Sequence, residues 1–210
     1  MQNNTQLVKN VFNKNADLYQ EKYMDVAMYA TSIDMFCKCL PNDGSVLELA
    51  CGPGNITRYM LDKCPGLKIL GTDIAENMIA LAKQNCPEAA FELLDCREID
   101  KLNRKFNGMM IGFVFPYLPR EESIQVIADS AKLLEPNGVI YLSTMEDNYA
   151  TSGWRTSSKG DKVYMYNHDE DYLTKALKDN GFEIADIQRK VYDGWDGKPV
   201  TDLILIGVLN

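Results

Sequence analysis

The sequence predicts an α/β protein with a doubly wound sheet, and three observations support this fold class. A short apolar run at residues 46–49 leads into a glycine-rich turn and then into helical spacing, which is the entry unit of such folds. Residues 106–115 are almost continuously apolar, as expected of a central parallel strand covered on both faces. Asp73 and Asp95 end two further short strands, at the edge where such folds bind ligands.

Length and charge are those of one acidic globular domain. The chain has 210 residues, of which 46% are hydrophobic and 25% charged, so a substantial core is expected. Its 22 Lys and Arg stand against 30 Asp and Glu, which gives a formal net charge of −8. Extended binding to nucleic-acid phosphates needs a basic face. We therefore expect a small-molecule partner and no nucleic acid, and the oligomeric state is left open.

Targeting signals and metal ligands are not recognisable in the sequence. Residues 1–14 have no apolar stretch after a basic start, which disfavours a secretory signal. The longest apolar run, residues 109–115, is too short to span a bilayer. The six cysteines contain no C-x-x-C pair, and the residues around them offer no set of metal ligands. We expect reduced thiols, a cytoplasmic protein, no membrane contact and no metal.

Residues 5–38 are expected to be helical, because apolar residues recur there at roughly helical spacing. The turn after the first strand then favours a cationic ligand over a diphosphate. Gly52 and Gly54 can adopt positive φ and let a ligand touch the backbone. Pro53 removes one N–H and Glu48 adds negative charge, whereas a diphosphate cradle needs N–H donors with no acid nearby. S-adenosylmethionine, with its sulfonium and ammonium groups, is such a ligand.

This stretch resembles the glycine-rich motif of class I S-adenosylmethionine-dependent methyltransferases. In that motif an acid lies two residues before a small residue, followed by C-G-x-G, and Glu48, Ala50, Gly52 and Gly54 match it. Ala50 stands where the family more often has glycine. The resemblance covers about residues 40–210. It implies a Rossmann-like, seven-stranded, mostly parallel sheet with an antiparallel last strand, and it implies that these four residues bind the cofactor.

The N-terminal segment resembles the helical cap of many small-molecule methyltransferases. Phe12, Ala16 and Tyr19 fit an F-x-x-x-A-x-x-Y pattern that lays aromatic rings over the cofactor, and Tyr23 follows one helical turn later. The resemblance implies that Tyr19 or Tyr23 reaches the methionine carboxylate or the substrate. We assign Tyr23 to the cofactor and Tyr19 to the substrate. The alternative is that both tyrosines only pack an amphipathic helix.

The second strand ends in Asp73, about 20 residues after the glycine turn, where an acid is placed to accept hydrogen bonds from ribose hydroxyls. Residues 71–78 resemble the family motif G-x-D-x-S-x-x-M. The resemblance implies that Asp73 binds the ribose and that Ile74 and Met78 pack on the adenine or the ribose. Asp73 could instead act only as the N-cap of the next helix.

The third strand ends in Asp95 and Cys96, where the family places an acid and a small or apolar residue against the adenine. Asp95 could instead cap a short helix. Glu48, Asp73 and Asp95 end three successive strands, so we expect one concave site that gathers three carboxylates. Their mutual repulsion would be relieved by a bound cation.

The segment after the fourth strand lines the methyl-transfer site in the family. The resemblance implies that Gly112 allows close approach of the methionine part, and that Phe113, Pro116 and Tyr117 face the substrate, with Tyr117 as a catalytic candidate. Pro116 and Tyr117 are similar to part of the (D/N)-P-P-Y motif of enzymes that methylate amide or exocyclic nitrogens. Val114 replaces its Asp or Asn, so we do not assign that chemistry. Phe113 could also be a core residue.

The C-terminal half is predicted to complete the sheet. Residues 120–134 have helical spacing and 135–138 form a stop signal. This stop resembles the family's entry to the fifth strand. Residues 182–192 and 201–209 are predicted as the last two strands, which form a hairpin in the class I fold.

Between these elements the periodicity lapses at residues 145–167, within which residues 163–166 are a candidate short strand that folds back. A long irregular segment at the substrate side is usually functional. Trp154 and Arg155 are its substrate-binding candidates. His168, the only histidine, is a candidate general base, although the family often has a histidine there with no catalytic part.

The predicted function is methyl transfer from S-adenosylmethionine to a small-molecule acceptor, by in-line displacement at the sulfonium carbon, with S-adenosylhomocysteine as the product. Alignment supplies most of the rate in such a reaction, and no protein nucleophile is needed. A non-catalytic binder of S-adenosylmethionine or a nucleoside is one alternative, and a nicotinamide-dependent oxidoreductase is another. The predicted organisation is a helical cap at residues 1–40, a methyltransferase domain at 41–210 and a substrate-side insertion at 145–168.

Overall fold

A computed structural model of the chain describes residues 4–157, 159–194, 197 and 199–210. Its strands are β1 Ser45–Leu49, β2 Lys68–Asp73, β3 Ala90–Leu93, β4 Phe106–Gly112, β5 Leu134–Met145, β6 Gly153–Thr156, β7 Lys162–Met165, β8 Phe182–Asp193 and β9 Pro199–Leu209. Its α-helices are α1 Asn4–Lys14, α2 Ala16–Tyr23, α3 Ala30–Lys38, α4 Asn55–Lys63, α5 Glu76–Asn85, α6 Arg120–Leu133 and α7 Glu170–Asp179. Short 3-10 helices lie at Ala27–Tyr29, Cys96–Lys101, Phe115–Tyr117 and Tyr149–Thr151.

Seven strands form one sheet in the order β3-β2-β1-β4-β5-β9-β8. β9 runs antiparallel to both of its neighbours, and the other neighbouring pairs are parallel. The predicted seven-stranded sheet with an antiparallel last strand is therefore confirmed. The strand order reverses between β1 and β4, which creates a crevice at their carboxyl ends.

Helices cover both faces of the sheet because its central strands are apolar on both sides. Leu47 and Ile111 face one core cluster, which includes the buried side of α6 and α7. Val46 and Met110 face a second cluster, which includes the buried sides of α3, α4 and α5. This burial of both faces fixes the register of β1 and β4 and so the position of the crevice. In the described parts of the chain, no helix is both long and apolar enough to cross a bilayer.

The predicted helical segment at residues 5–38 is broken into three α-helices and one 3-10 turn. Asn15 separates α1 from α2 with φ −111° and ψ 20°. Its amide donates to the carbonyl of Val11 and to Asp161. Asparagine competes in this way with the helix backbone, so it favours helix ends. Residues 1–3 of the predicted cap lie outside the described residues.

Two other predictions from the sequence are corrected by the fold. The fourth strand was predicted to reach Phe115, but it ends at Gly112, because Phe113 has φ 55° and the chain then turns through a 3-10 helix that contains Pro116. The segment at 145–167, where the periodicity lapses, contains the antiparallel hairpin β6–β7. Its second strand corresponds to the candidate strand at residues 163–166, whereas β6 was not expected. Ser158 of that segment lies outside the described residues, as do residues 195, 196 and 198, which lie between the last two strands.

Candidate functional site

A cavity opens at the carboxyl ends of the parallel strands, where α/β folds of this kind bind their ligands. Its lining comes from α1, α2 and the segments that follow β1, β2, β3 and β4. The lining residues are Thr5, Val8, Phe12, Tyr19, Ala50, Gly52, Asp73, Ile74, Met78, Leu94, Asp95, Cys96, Arg97, Gly112, Phe113, Val114, Tyr117 and Leu118. Most of the predicted cofactor residues are therefore brought together.

Positive φ angles shape the turn after β1. Ala50, Gly52 and Gly54 have φ of 49°, 55° and 82°. For Ala50 this left-handed conformation is strained, because its Cβ crowds the following carbonyl oxygen. The strain explains why the related family favours glycine at this position. Gly54 lies behind the cavity at the start of α4, where an added Cβ would be only 3.2 Å from the Cys86 sulfur.

Asp73 ties the glycine turn to the end of β2. Its Oδ2 accepts a hydrogen bond from the Gly52 N–H at 3.0 Å, and its Oδ1 accepts from the Ala75 N–H at 2.8 Å. Burial raises the pKa of Asp73, and these backbone hydrogen bonds oppose the rise. The N-cap residue of α5 is Ala75, so Asp73 is not the cap itself. The carboxylate both fixes the turn and lines the cavity.

Glu48 does not reach the cavity. Its side chain is buried behind the turn and accepts a hydrogen bond from the Thr57 hydroxyl. Burial raises the pKa of Glu48 to about 8, although the Thr57 hydrogen bond lowers it and the nearby Asp73 raises it further. The expected ring of three carboxylates is therefore reduced to Asp73 and Asp95. Thr57, on α4, is the hydrogen-bond partner that holds Glu48 away from the cavity.

Asp95 starts the 3-10 helix after β3 and is held by Arg97. Its Oδ1 accepts from the backbone N–H of Arg97 at 3.0 Å and from Nε at 2.9 Å, and its Oδ2 accepts from Nη2. Arg97 Nη1 also lies 3.4 Å from an oxygen of Glu122 on α6. Burial raises the pKa of Asp95, but the hydrogen bonds from Arg97 outweigh it and lower the pKa overall. Asp95 is thus both a helix cap and a cavity residue.

Aromatic rings from α1, α2 and the 3-10 helix Phe115–Tyr117 line the cavity, and the ring of Tyr19 lies beside Gly52, where an added Cβ would be 3.6 Å from it. Phe12 packs edge-on against Tyr19 and Tyr117, with ring centroids 5.7 and 5.3 Å apart. Burial raises the pKa of Tyr117 to about 12 and the pKa of Tyr19 still further, so both remain protonated at neutral pH. Neither hydroxyl is given a hydrogen-bond partner by the described residues. Both are therefore available as donors to a ligand.

Phe113 and Gly112 form the part of the cavity wall that follows β4. Phe113 is held at positive φ by hydrogen bonds from its N–H to the carbonyl oxygen of Ser143 at 3.1 Å and to its hydroxyl at 3.3 Å. Its ring contacts the ring of Tyr29, with centroids 5.3 Å apart. At Gly112, a Cβ would lie 2.6 Å from the end of the Ile56 side chain. A larger residue there would displace that end.

Helix α1 forms the roof of the cavity and is fastened mainly by polar contacts near the surface. Lys9 and Asn13 bind the two carboxylate oxygens of Glu76 at 2.5 and 2.7 Å. At the C-terminal end of the helix, Lys14 pairs with Asp161 at 2.7 Å. Val8 is the only residue of α1 that is classed as buried in the described structure.

The structure argues against the base role predicted for His168. The imidazole is fully buried outside the cavity lining. Its Nε2 lies 2.7 Å from the carbonyl oxygen of Phe115, and its Nδ1 is hydrogen bonded to the Tyr172 hydroxyl. Burial lowers the pKa of His168 to about 4. The ring therefore serves packing, because neither nitrogen faces a ligand.

Four other predicted site residues also fall outside the lining. Trp154 and Arg155 lie on β6, where the hairpin ladder leaves both side chains exposed. Pro116 is buried behind the wall. Tyr23 is exposed and stacks at a tilt on Tyr19, with ring centroids 4.6 Å apart.

Sequence reasoning missed several lining residues: Thr5, Val8, Leu94, Arg97, Val114 and Leu118. Val8 was detectable, because it lies four residues before Phe12 and so on the same helix face. Arg97 carried a weaker signal, since it follows Asp95 by only two residues. No cluster of three or more His, Cys, Asp or Glu suited to a metal ion occurs in residues 4–157, 159–194, 197 and 199–210.

Comparison with known proteins agrees with this geometry. Residues 46–138 match the model of the methyltransferase domain family. Trans-aconitate 2-methyltransferase of Variovorax paradoxus is 33% identical over 109 residues, which cover 52% of this chain and 41% of that protein. Malonyl-[acyl-carrier protein] O-methyltransferase of Acetivibrio thermocellus is 26% identical over 189 residues, covering 88% and 63%. The chain thus spans less than two thirds of the length of these relatives.

Solved structures share the fold over nearly the whole chain. Magnesium protoporphyrin IX methyltransferase from Synechocystis PCC 6803, solved with bound S-adenosylmethionine, has a TM-score of 0.73 at 20% identity, covering 100% of this chain and 99% of that one. Burkholderia thailandensis 1,6-didemethyltoxoflavin-N1-methyltransferase has a TM-score of 0.73 at 17% identity, covering 98% and 88%. Residues 46–138 thus match a methyltransferase domain and the fold is that of the solved methyltransferases, while the glycine-turn motif resembles that of class I S-adenosylmethionine-dependent enzymes.

Proposed function

We propose that this protein transfers a methyl group from S-adenosylmethionine to a small-molecule acceptor and releases S-adenosylhomocysteine. One observation carries the proposal: a single cavity joins the glycine turn, Asp73 and Asp95 to an aromatic end that has unpartnered hydroxyls. When bound, S-adenosylmethionine supplies the electrophilic methyl carbon. The protein's part is to align the acceptor with that carbon and to exclude water.

The residues at the cofactor end fit the chemistry of this molecule. Asp73 can accept hydrogen bonds from ribose hydroxyls, and Asp95 can accept from an adenine amino group. Ile74 and Met78 offer apolar surface for the ribose and the base. Ala50 and Gly52 expose the backbone for the methionine part. Asp73 is the carboxylate of this end that has no cationic partner in the described structure, which favours a positively charged ligand.

We place the acceptor at the aromatic end of the cavity, by which we mean the rings of Phe12, Phe113 and Tyr117, and these rings favour an uncharged, aromatic or conjugated molecule. The hydroxyls of Tyr117 and of Tyr19, which lies beside Gly52, offer hydrogen bonds. Arg97 is the one cationic side chain among the described lining residues, and it is already paired with Asp95. A carboxylate at the aromatic end would lose its hydration without gaining a counter-charge. Tyr117 would orient the acceptor as a donor, because its high pKa makes it a poor base.

Proton removal is assigned to the acceptor and water. With His168 buried outside the cavity, the described lining contains no neutral imidazole or amine. The acceptor must therefore offer a lone pair without help from the protein, or ionise before transfer. The pH dependence of the rate would then follow the acid strength of the acceptor.

Calorimetric titration with S-adenosylhomocysteine tests the proposal. Asp73→Asn keeps the size of the side chain and is preferable to alanine, because Asp73 also supports the turn. Asp129→Asn is the matched control, since Asp129 is equally buried but lies on α6 outside the cavity. We expect saturable binding that Asp73→Asn weakens at least about tenfold, that Asp129→Asn preserves and that NAD does not compete with.

Two results would overturn parts of the proposal. A folded wild-type protein that binds neither S-adenosylmethionine nor its product would exclude methyl transfer. Competition by NAD would revive the oxidoreductase alternative. If the cofactor binds, release of S-adenosylhomocysteine in the presence of phenolic and heteroaromatic probes separates an enzyme from a non-catalytic binder.

The organisation and surroundings of the protein belong to the same proposal. We infer a helical cap at residues 1–40, a catalytic domain at 41–210 and a substrate-side insertion at 145–168. We infer a cytoplasmic protein without nucleic-acid or membrane partners, which the net charge of −8 supports. Cell fractionation and a DNA mobility-shift assay test these statements.

A further inference from the structure

The Arg97 guanidinium forms an ion pair with the Asp95 carboxylate in the wall of the cavity. Three N–H groups of Arg97, one from the backbone and two from the side chain, donate to Asp95. Both residues line the cavity. Their side chains are 28% and 22% exposed, so water screens this pair less than it screens a fully exposed ion pair.

The hydrogen bonds leave the two carboxylate oxygens of Asp95 in different states. Oδ1 accepts from both the backbone N–H and Nε of Arg97, which uses its two lone pairs. Oδ2 accepts only from Nη2 among the described nitrogen donors, so it keeps capacity for one more donor. The Asp95 carboxylate is therefore set to accept a single further hydrogen bond.

Arg97 also contacts a second acidic side chain. Its Nη1 lies 3.4 Å from an oxygen of Glu122 on α6. These contacts use three of the five N–H groups of the guanidinium. With one acid on each side, the guanidinium cannot rotate without breaking one of these contacts, so the Asp95 carboxylate is held in one orientation at this point of the wall.

We propose that Arg97 is a positioning residue for base recognition, which fixes the Asp95 carboxylate so that the site accepts a 6-amino purine and rejects a 6-oxo purine. The inference rests on the proposed function. A 6-amino group donates to Oδ2. A 6-oxo group in the same place sets its oxygen against Oδ2, so two acceptors face each other and neither gains a hydrogen bond from the other, and such mismatches are strongly rejected by buried sites.

Affinity for two probes tests this role: S-adenosylhomocysteine and S-inosylhomocysteine, which differ in the 6-amino and 6-oxo groups and in the N1 proton that accompanies the 6-oxo form. Calorimetry gives Kd for each probe with wild type, Arg97→Leu and Arg97→Lys. Arg58→Leu is the matched control, because Arg58 on α4 also pairs with two acids, Glu88 and Asp62, and its side chain is 29% exposed, yet it lies outside the cavity.

We expect wild type to prefer S-adenosylhomocysteine by at least about 30-fold, and Arg97→Leu to reduce that preference by about tenfold. The preference of Arg97→Lys should fall between these two, because an ammonium keeps the charge but not the two-pronged geometry. Arg58→Leu should keep the wild-type preference. Thermal melting establishes whether each variant is folded. If Arg97→Leu is not folded, the comparison of wild type with Arg97→Lys provides the test.

The outcomes separate this inference from the proposed function. If wild type binds S-adenosylhomocysteine but the Arg97 variants keep its preference within about threefold, the positioning role is refuted and methyl transfer stands. Equal weakening of both probes by Arg97→Leu would also refute it, since that result reports a purely structural role. If wild type binds neither probe, the proposed function fails, and the role of Arg97 fails with it.

Discussion

Replacing Ala50 with glycine should stabilise the protein, against the usual effect of such a change. Ala50 has φ 49°, a left-handed conformation that costs an L-residue about 1–2 kcal/mol. Glycine removes this strain but loses about 0.5–1 kcal/mol more conformational entropy on folding. Because the Ala50 side chain is exposed at the cavity, little packing is lost. The net expectation is a gain of about 0.5–1 kcal/mol in the free energy of unfolding.

Urea unfolding of wild type and Ala50→Gly measures this difference. Thermal melting should show a rise of about 1–4 °C for a chain of this size. Ala75→Gly is the matched control, because Ala75 lies at the same edge of the sheet with φ −96° and is fully buried. That change removes a packed methyl group and relieves no strain, so it should destabilise by about 1 kcal/mol or more.

The comparison of the two variants decides the argument. If Ala50→Gly lowers the free energy of unfolding as much as Ala75→Gly does, Ala50 is not strained and the reasoning fails. Saturating S-adenosylhomocysteine should raise the stability of both wild type and Ala50→Gly by mass action and leave their difference in place. Loss of the difference on binding would show that the ligand, and not the backbone, sets the turn.

Three further changes have definite expected results. Glu48→Gln should leave the free energy of unfolding in urea unchanged near pH 4 and raise it by about 2–4 kcal/mol near pH 9. The reason is that the pKa of Glu48 is raised in the folded state, so the stabilising contribution of this residue falls as pH rises from about 4.5 to about 8. If wild type and Glu48→Gln show the same dependence of unfolding free energy on pH, this reasoning is refuted. His168 has a lowered pKa, so its contribution is present above about pH 6.5 and lost as pH falls through about 4. His168→Phe should flatten this acid limb in the same assay and leave the pH–rate profile unchanged, and a shifted rate profile would restore the base role. Tyr117→Phe should lower kcat/KM for the acceptor about tenfold or more while the Kd of S-adenosylhomocysteine, measured by calorimetry, stays the same; a changed Kd would assign Tyr117 to the cofactor.

The sequence predicted well which residues meet at the proposed cofactor end, because local sequence patterns identify them. A strand, a glycine turn and an acid at a strand end fix where Gly52, Asp73 and Asp95 lie once the strands are parallel. The β register that brings them together follows from apolar runs that cover both faces of the sheet. These residues needed no long-range information beyond the strand order.

The site predictions that the structure does not support share a different physical cause. The burial of a side chain and its hydrogen-bond partners are set by segments that are distant in the sequence. Glu48 appeared to be a ligand residue, but Thr57 turns it inward. His168 is enclosed by Phe115 and Tyr172, and no local pattern announces that enclosure. Trp154 was placed at the substrate because the segment around it lacked periodicity, yet hairpin pairing points it outward.

The roof of the cavity, helix α1, is held in place differently from its floor, by which we mean the carboxyl ends of the parallel strands and the turns that follow them. Strand ends and backbone hydrogen bonds hold the floor, whereas α1 is joined to the body by exposed contacts such as Lys9 with Glu76, and buries only Val8 among its described residues. Exposed ion pairs of this kind are worth little each, so the roof can lift without melting the sheet. Substitutions on the inner face of α1 can therefore change which molecules fit, at small cost to folding. In this architecture, acceptor preference can evolve independently of cofactor use.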